Sequence, residues 1–270
     1  MCQTLMKVNY ISGRKRALIA YAETHKIPIG GTFNYKGKIN TYNHIIKSTN
    51  LVSAAKLNII SGVEHDVFYK YIVTQKRLHR YAHHLNSSQL LCYNYFRPMM
   101  TTDDRPNPKL KQWVMDNIGV QLSGKARCRF EYVADSKEKT NFDFYIKDGD
   151  IEIFFEIKYT ESGFGRVQYN QRYEKKFEEI YKEMLKAQKC LPINMPMKLF
   201  FDNYQLCRNI CYITSDNKFV VFIFPRNNTT VFSQYEAFRH LIQSRQSNVK
   251  VVYWEDIVNC NSEFFAKYFK

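Results

Sequence analysis

The fold is decided by the stretch NFDFYIKDGDIEIFFEIK, residues 141–158. It holds two runs rich in phenylalanine and isoleucine, 142–147 and 151–159, in which apolar residues recur at every second position. Such alternation predicts β-strands, and the pair Asp148-Gly149 between the runs predicts a tight turn. The stretch therefore predicts two antiparallel strands joined as a hairpin.

The segments on either side of this hairpin extend it into an α/β domain. A helix is predicted over 109–117 and a further strand over 126–133, ahead of the hairpin. After it come a glycine-bearing loop at 161–165 and a long helix, then an apolar strand at 219–224, a helix at 234–244 and a last strand at 249–254. The residues expected on the buried side of the long helix are Tyr173, Phe177, Ile180, Met184 and Leu185. The order αβββαβ predicts a mixed central sheet flanked by helices.

The region before this core has a different character. Residues 1–60 are basic, with Glu23 as the single acidic residue, and are predicted to be irregular. This stretch is either an arm that contacts a polyanion such as DNA or a solvated peripheral layer, and both interpretations are open. Helices are predicted over 64–84 and 90–96, and the polar stretch 101–108 is a candidate linker or long loop. We therefore predict a basic, mainly helical or irregular accessory region, 1–104, before a core of 105–270.

Two sets of potential metal ligands have a simpler explanation. His79, His83 and His84 lie in the predicted helix 64–84, but Arg80 stands where the zinc-protease pattern HExxH requires glutamate. We interpret them as histidines on a hydrated face or in contact with phosphate. The chain also has seven cysteines without zinc-site spacing, which we interpret as reduced and mostly buried. Neither set predicts a metal site.

Charge and length restrict the partners of the chain. It has 270 residues and a formal net charge of +15, which favours a polyanionic partner, first nucleic acid and then an anionic membrane surface. No apolar run approaches the roughly 18 residues that cross a bilayer, and the first residues do not resemble a signal peptide. No basic segment has a wide apolar face. We expect a soluble cytoplasmic protein with no membrane role.

Three charged residues share one face of the predicted hairpin. Strand alternation places Glu156 and Lys158 on the face opposite the core, and pairing through the turn brings Asp143 to the same face. An unpaired buried carboxylate costs several kcal/mol, so two of them require a cation. Mg²⁺ prefers such oxygen ligands, and the backbone carbonyl of Ile157 is placed to complete the set. The alternative is an ion pair between Glu156 and Lys158, with Asp143 capping a turn.

This arrangement resembles the PD-(D/E)XK nuclease superfamily. The motif appears as Asn141-Phe142-Asp143 followed by Glu156-Ile157-Lys158, and Phe142 stands where the family has proline. Four segments also resemble a bacterial family classed by sequence as restriction endonucleases. They are LNSSQLLCYNYF (85–96), FEYVADSKEKTNFDFYI (130–146), FFEIKYTESGFG (154–165) and YQLCRNI (204–210).

The resemblance implies a type II-like restriction endonuclease that hydrolyses phosphodiester bonds of duplex DNA. Asp143 and Glu156 would bind Mg²⁺, with Mn²⁺ as a substitute, while Lys158 would position or help deprotonate the attacking water. Such enzymes often act as homodimers, since two strands require two centres. Two alternatives are a structure-specific repair or recombination nuclease and a DNA-binding protein that keeps the fold without turnover.

Further site candidates lie around the motif. Glu131 and Glu161 are candidates for an additional acidic residue, although structural pairing also explains Glu131. Arg166, Gln205 and Arg208 are candidates for contacts with DNA phosphates, and a solvated helix surface explains them nearly as well.

Overall fold

The computed structural model describes residues 2–188, 190–243, 246–257 and 261–270. The chain forms two compact units, Met1–Leu110 together with Trp254–Lys270, and Lys111–Tyr253. The division drawn from the sequence at 104/105 placed the last segment with the core. In the structure this segment packs within the first unit, where Phe264 and Tyr268 are buried and Asn94 donates a hydrogen bond to the Tyr268 hydroxyl over 2.7 Å.

The first unit opens with a helix and a β-hairpin: α1 is Cys2–Thr24, β1 is Ile29–Tyr35 and β2 is Lys38–Ile46. The prediction that residues 1–60 are irregular is therefore wrong. The turn residues Lys36 and Gly37 both have positive φ, 51° and 83°, and the side chain of Asn34 accepts a hydrogen bond from the Gly37 amide. Most of the hairpin is exposed on both faces, so it lacks the apolar alternation by which strands are recognised.

A short helix region follows the hairpin. α2 is Leu51–Leu57, and α3 is Asp66–Phe68, continued by a π-helical turn at Tyr69–Val73. The helix predicted over 64–84 is wrong beyond this turn, because Lys76 adopts a left-handed φ of 53°. The buried side chain of Gln89 then satisfies the backbone of the next residues, 77–79. His79, His83 and His84 consequently lie in an irregular segment.

The elements between residues 87 and 118 agree with the sequence. α4, Ser88–Phe96, confirms the predicted helix, and the Ser87 hydroxyl caps its first turn. A 3₁₀ turn, Arg97–Met99, extends it. The polar stretch that follows is an ordered loop in which buried Asp104 accepts hydrogen bonds from Lys70 and Tyr71. α5, Pro108–Ile118, confirms the helix predicted at 109–117.

The second unit is built on a five-stranded mixed sheet. The strands are β3, Arg127–Val133; β4, Asn141–Asp148; β5, Ile151–Ile157; β6, Lys218–Phe224; and β7, Val249–Tyr253. They lie in sequence order, with β3, β4 and β5 antiparallel and β6 and β7 parallel to β5. Gly149, with a φ of 59°, lies in the two-residue turn between β4 and β5. The predicted α/β fold with a mixed sheet is confirmed.

Helices flank this sheet. α6, Gln171–Lys176, a π-helical turn at Phe177–Tyr181 and α7, Lys182–Ala187, form the predicted long helix. Its buried side chains are Phe177, Tyr181 and Leu185, spaced by four, and the predicted core position Ile180 is only half-buried. The π turn adds a residue to the helical repeat, which favours spacing by four. The later helices of this unit are α8, Met197–Asp202; α9, Tyr204–Ile210; and α10, Thr229–Phe238. Two further helices, α11, Trp254–Ile257, and α12, Ser262–Tyr268, belong to the first unit.

The helix predicted at 234–244 begins earlier and ends earlier as α10. Asn228 caps its start through a hydrogen bond from the Val231 amide, and a 3₁₀ turn, Arg239–Leu241, follows it. Residue 244 lies outside the described residues. Across the described chain, no helix combines the length and apolar composition that crossing a bilayer requires.

The cysteines that the structure describes with their side chains are reduced and buried, as predicted: Cys92, Cys128, Cys190, Cys207 and Cys211. Cys260 lies outside the described residues. The Cys207 thiol donates a hydrogen bond to the Met195 sulfur at 3.6 Å within the hydrophobic core. These cysteines therefore act as small apolar residues.

Candidate active site

The centre of the candidate site is an ion pair at the end of β5. Glu156 and Lys158 are 3% and 7% exposed, and the Lys158 Nζ lies 2.6 Å from Glu156 Oε1. Residues two apart on a strand point to the same side, which explains how they meet. Both neighbours across the parallel pairing, Phe222 and Ile223 of β6, are fully buried. The pair is thus held in a region where charge is poorly solvated.

Asp143 lies beside this pair because β4 stops pairing with β5 at that point. The backbone pairs of the two strands run from Asp148↔Ile151 to Phe144↔Phe155. At the next position the Asp143 carboxylate accepts a hydrogen bond from the Ile157 amide over 2.7 Å. A side chain thereby replaces a main-chain partner, which fixes the carboxylate next to the Glu-x-Lys triplet.

Glu131 on β3 is a third carboxylate near this point. It is 1% exposed, and the side-chain amide of Asn141 donates a hydrogen bond to it. Its φ of 51° is unusual for a residue with a side chain and interrupts the β3–β4 pairing between Phe130↔Phe144 and Tyr132↔Phe142. Such backbone strain costs on the order of 1 kcal/mol and occurs preferentially at functional sites.

The electrostatics of Asp143 reflect crowding of negative charge. Desolvation raises the pKa of its carboxyl well above the usual value, and the nearby carboxylates of Glu156 and Glu131 add to this rise. Lys158 and the Ile157 amide act in the opposite direction without reversing it. The surroundings therefore disfavour the charged form of Asp143 in the absence of a bound cation.

The surroundings of Lys158 favour its charged form. Burial by itself lowers the pKa of an amine, but the carboxylates of Glu156, Glu161 and Asp143 outweigh burial, so the pKa of Lys158 is raised. The lysine is therefore a fixed positive charge at neutral pH. Glu161 contributes from the following loop, where its side chain accepts a hydrogen bond from the Tyr159 amide.

Helix α9 holds the Glu156 carboxylate from the other side. Gln205 donates to Glu156 Oε1 over 2.7 Å, and Asn209, one helical turn later, donates to Oε2 over 2.9 Å. Gln205 also accepts a hydrogen bond from the Gly165 amide at 3.1 Å. Gln205, predicted as a phosphate contact, thus donates a hydrogen bond to the Glu156 carboxylate in the structure. Asn209 is a residue of the site that was not predicted from the sequence. The amide spacing i, i+4 on a helix is the one signal for it.

The two arginine candidates occupy different environments. Arg166 is exposed, so it is accessible to a bound polyanion. Arg208 lies over the Tyr204 ring, and its pKa is raised because Glu138 and Glu156 outweigh the opposing effect of burial. Among the described residues its Nε has no hydrogen-bond partner. Arg208 therefore links the candidate site to a second buried carboxylate.

That second carboxylate, Glu138, was not a candidate. It is 2% exposed and accepts hydrogen bonds from four side chains, Thr140, Lys176, Tyr181 and Tyr212. Burial raises the pKa of a carboxyl, but these hydrogen bonds and the charges of Arg208 and Lys176 lower that of Glu138. A carboxylate that is fully satisfied in this way is a structural element of the core.

The donors around Asp143 suit a hard cation better than a transition metal. In the part of the chain that the structure describes, no three His, Cys, Asp or Glu side chains are arranged to hold a metal ion by themselves. A cation bound beside Asp143 would favour the charged form of its carboxyl group, which burial and the neighbouring carboxylates disfavour. Mg²⁺ needs only one or two carboxylates, because water and substrate phosphate supply its other ligands. The chemistry of the donor set is compatible with Mg²⁺.

Comparison with known proteins gives one family. The family described as restriction endonuclease associating with ARP, REase-ARP, matches residues 14–269. This match confirms the resemblance to restriction endonucleases and covers both units. No curated protein and no solved structure matches the chain.

Proposed function

Because the chain belongs to this restriction-endonuclease family, we propose that it is a Mg²⁺-dependent endonuclease that hydrolyses phosphodiester bonds of duplex DNA. One observation carries the proposal: Asp143, Glu156 and Lys158 meet at the end of β5, where burial and the neighbouring carboxylates disfavour the charged form of Asp143. Buried ionisable groups with perturbed pKa values are typical of functional sites.

The role that we propose for each residue follows from its contacts. Asp143 and Glu156 would hold Mg²⁺, or Mn²⁺ in its place, together with the Ile157 carbonyl; the bound metal would polarise the scissile phosphate and lower the pKa of a bound water. Gln205 and Asn209 keep the Glu156 carboxylate oriented. Glu131, held by Asn141, supplies further negative charge beside Asp143.

Lys158 acts in this proposal as a positive charge and hydrogen-bond donor. Its raised pKa keeps it protonated at neutral pH, so it orients the attacking water and offsets charge that develops on the phosphate. A protonated amine does not accept a proton. We therefore favour its positioning role over the alternative that it deprotonates the water.

The proposed partners follow from charge and from the reaction. A net charge of +15 favours a polyanion, and exposed Arg166 is a candidate contact with phosphate. Cutting both strands of a duplex requires two centres, so we propose a homodimer at work on DNA.

Incubation of the purified protein with plasmid DNA tests this function. We expect cleavage with Mg²⁺ or Mn²⁺, none with EDTA, and none from Asp143→Asn. Glu183→Gln is the matched control, because it removes an exposed helix carboxylate that forms an ion pair with a surface lysine, Lys186. Discrete fragments indicate sequence recognition, whereas cuts confined to branched or damaged DNA indicate a repair nuclease. Binding without cleavage under any of these conditions contradicts the proposal.

A further inference from the structure

The β1–β2 hairpin is a two-stranded ribbon in the first unit. Its strands pair with each other and form a sheet of their own. Residues 34–41, at its tip, are all exposed, and burial begins only near its base, at Gly31 and Ile45. The four pairs from Thr32↔Thr41 to Tyr35↔Lys38 extend over about 10 Å at 3.3 Å per residue.

One face of the ribbon is anchored to its own unit. Phe33 packs against Arg80, Tyr81 and His84, with centroid distances of 4.8–5.1 Å. Arg80 also donates a hydrogen bond to the Asn34 carbonyl over 2.8 Å. These contacts hold the ribbon in place and leave the opposite face to solvent.

The opposite face carries side chains that suit the edges of bases. Pairing and alternation place Thr32, Thr41 and Ile39 on it, and Asn43 follows Thr41 by two residues, where the register of the two strands shifts. All four are exposed, Ile39 by 70%. An asparagine amide pairs with adenine, hydroxyl groups bond to several bases, and apolar groups contact the thymine methyl.

Charge around the ribbon selects a polyanion as its partner. Between Glu23 and Glu64 the chain has no aspartate or glutamate, while it has five lysines in this interval: Lys26, Lys36, Lys38, Lys47 and Lys56. Lys36 and Lys38 lie at the exposed turn. The ribbon therefore combines phosphate-binding charge at its tip with polar groups along one face.

We propose that the β1–β2 ribbon enters the major groove of duplex DNA and recognises base edges through Thr41 and Asn43, while Lys36 and Lys38 bind phosphates. The major groove is about 12 Å wide and admits a two-stranded ribbon. This inference rests on the proposed function, since it assigns the part of the chain that selects the DNA to be cut.

The phosphate contacts are tested by binding of the full chain to a duplex of random sequence in EDTA, where cleavage is absent. Lys36→Ala with Lys38→Ala should reduce the slope of log affinity against log salt by about 2. The matched control, Lys186→Ala with Lys198→Ala, removes the same charge from helix positions where each lysine is paired with a carboxylate. An equal effect of both pairs, or no effect of either, overturns the inference.

The base contacts are tested by selecting preferred duplexes from a random library. Thr41→Ala with Asn43→Ala should lower discrimination at one or two base pairs by about tenfold and leave affinity for random duplex unchanged. Both residues are exposed, so a thermal melt should match that of the unchanged chain. An unchanged sequence preference overturns the inference. So does a result in which the lysine substitutions weaken binding to RNA or to vesicles of anionic lipid but leave binding to duplex DNA unchanged.

The two proposals fail in different ways. If the unchanged protein cuts plasmid DNA with Mg²⁺, and the ribbon variants bind duplex DNA with the same affinity and the same sequence preference, only the ribbon inference is lost. If the unchanged protein neither binds nor cuts duplex DNA, the proposed function is lost with it.

Discussion

The two units bury ionisable groups in contrasting ways. In the first, Lys267 is 1% exposed and donates its hydrogen bonds to two oxygens of Asn58, while buried Arg97 is paired with Glu64 and Asp66. In the second, Asp143, Glu131 and Glu156 crowd around Lys158. In the first unit each cation has oxygen partners close by, although burial still lowers the pKa of Lys267, and in the second several carboxyl groups lie around one lysine.

We interpret this difference as one between groups that serve the fold and groups that serve the proposed reaction. A buried charge with complete local partners needs nothing further. Burial and neighbouring carboxylates that disfavour the charged form of Asp143 oppose folding, and perturbed pKa values of this kind are typical of functional sites. Substitution of single residues from each group tests this distinction.

The largest effect is expected for Asp143→Asn. Cleavage should fall by about 10³-fold, because a metal-binding carboxylate is lost. The metal-free protein should become more stable by about 1 kcal/mol, since one repelled buried charge is removed. Because the folded pKa of Asp143 is raised, the unchanged protein loses stability as the pH rises from the ordinary pKa of an aspartate through the folded pKa. The variant should not show this loss. Urea unfolding at several pH values and a plasmid assay measure both effects; a variant that is inactive but less stable contradicts the distinction.

Glu138→Gln provides the structural counterpart within the same unit. Its unfolding free energy should fall by about 3 kcal/mol at neutral pH, because a satisfied buried carboxylate loses its charge-assisted hydrogen bonds. The pKa of Glu138 is lower in the folded protein than in the unfolded chain. The charged carboxylate therefore stabilises the fold at any pH above the ordinary pKa of a glutamate, and this stabilisation is lost as the pH falls through the folded pKa. The Mg²⁺ dependence of cleavage should change by less than about threefold, as Glu138 has no place among the proposed ligands. A large shift in that dependence would place Glu138 with the site.

A smaller effect is expected when the support of Glu156 is removed. Asn209→Ala deletes the donor to Glu156 Oε2 and should weaken Mg²⁺ affinity by about 10- to 100-fold. The measurement is the Mg²⁺ concentration that gives half-maximal cleavage. Lys198→Ala, at an exposed position of α8, is the control and should leave it unchanged. An effect on maximal rate alone would assign Asn209 a role other than holding the carboxylate.

The smallest effect concerns Lys267, the buried cation of the first unit. Burial lowers its pKa to about 7, and Glu263 offsets part of this shift. The unfolded chain binds more protons between pH 7 and 10.5, so the unfolding free energy should rise with pH, by about 2 kcal/mol from pH 7 to 9. Lys267→Met should remove this rise, and Lys56→Met, at an exposed position, should keep it. A flat profile in the unchanged protein would mean that Asn58 solvates the charge completely.

The structure also shows where sequence patterns succeed and fail. The strands of the large sheet were predictable because their apolar residues face a core on a regular period, and the α4 cap was predictable because Ser87 acts on its own helix. The β1–β2 ribbon was not, because a strand exposed on both faces carries no such period. The helix over 64–84 failed for a different reason: Gln89, a distant side chain, satisfies the backbone beyond the turn at Lys76.

The sequence by itself determined that Glu156 and Lys158 meet, because alternation along one strand is a local property of the backbone. It also placed Asp143 on the paired strand through a turn only two residues long. Only the tertiary structure decided that Glu131 approaches Asp143 and that Gln205 and Asn209 hold Glu156 from a helix about 50 residues away. Such neighbours depend on strand register and helix packing, which are set by the whole core and by no single segment of it.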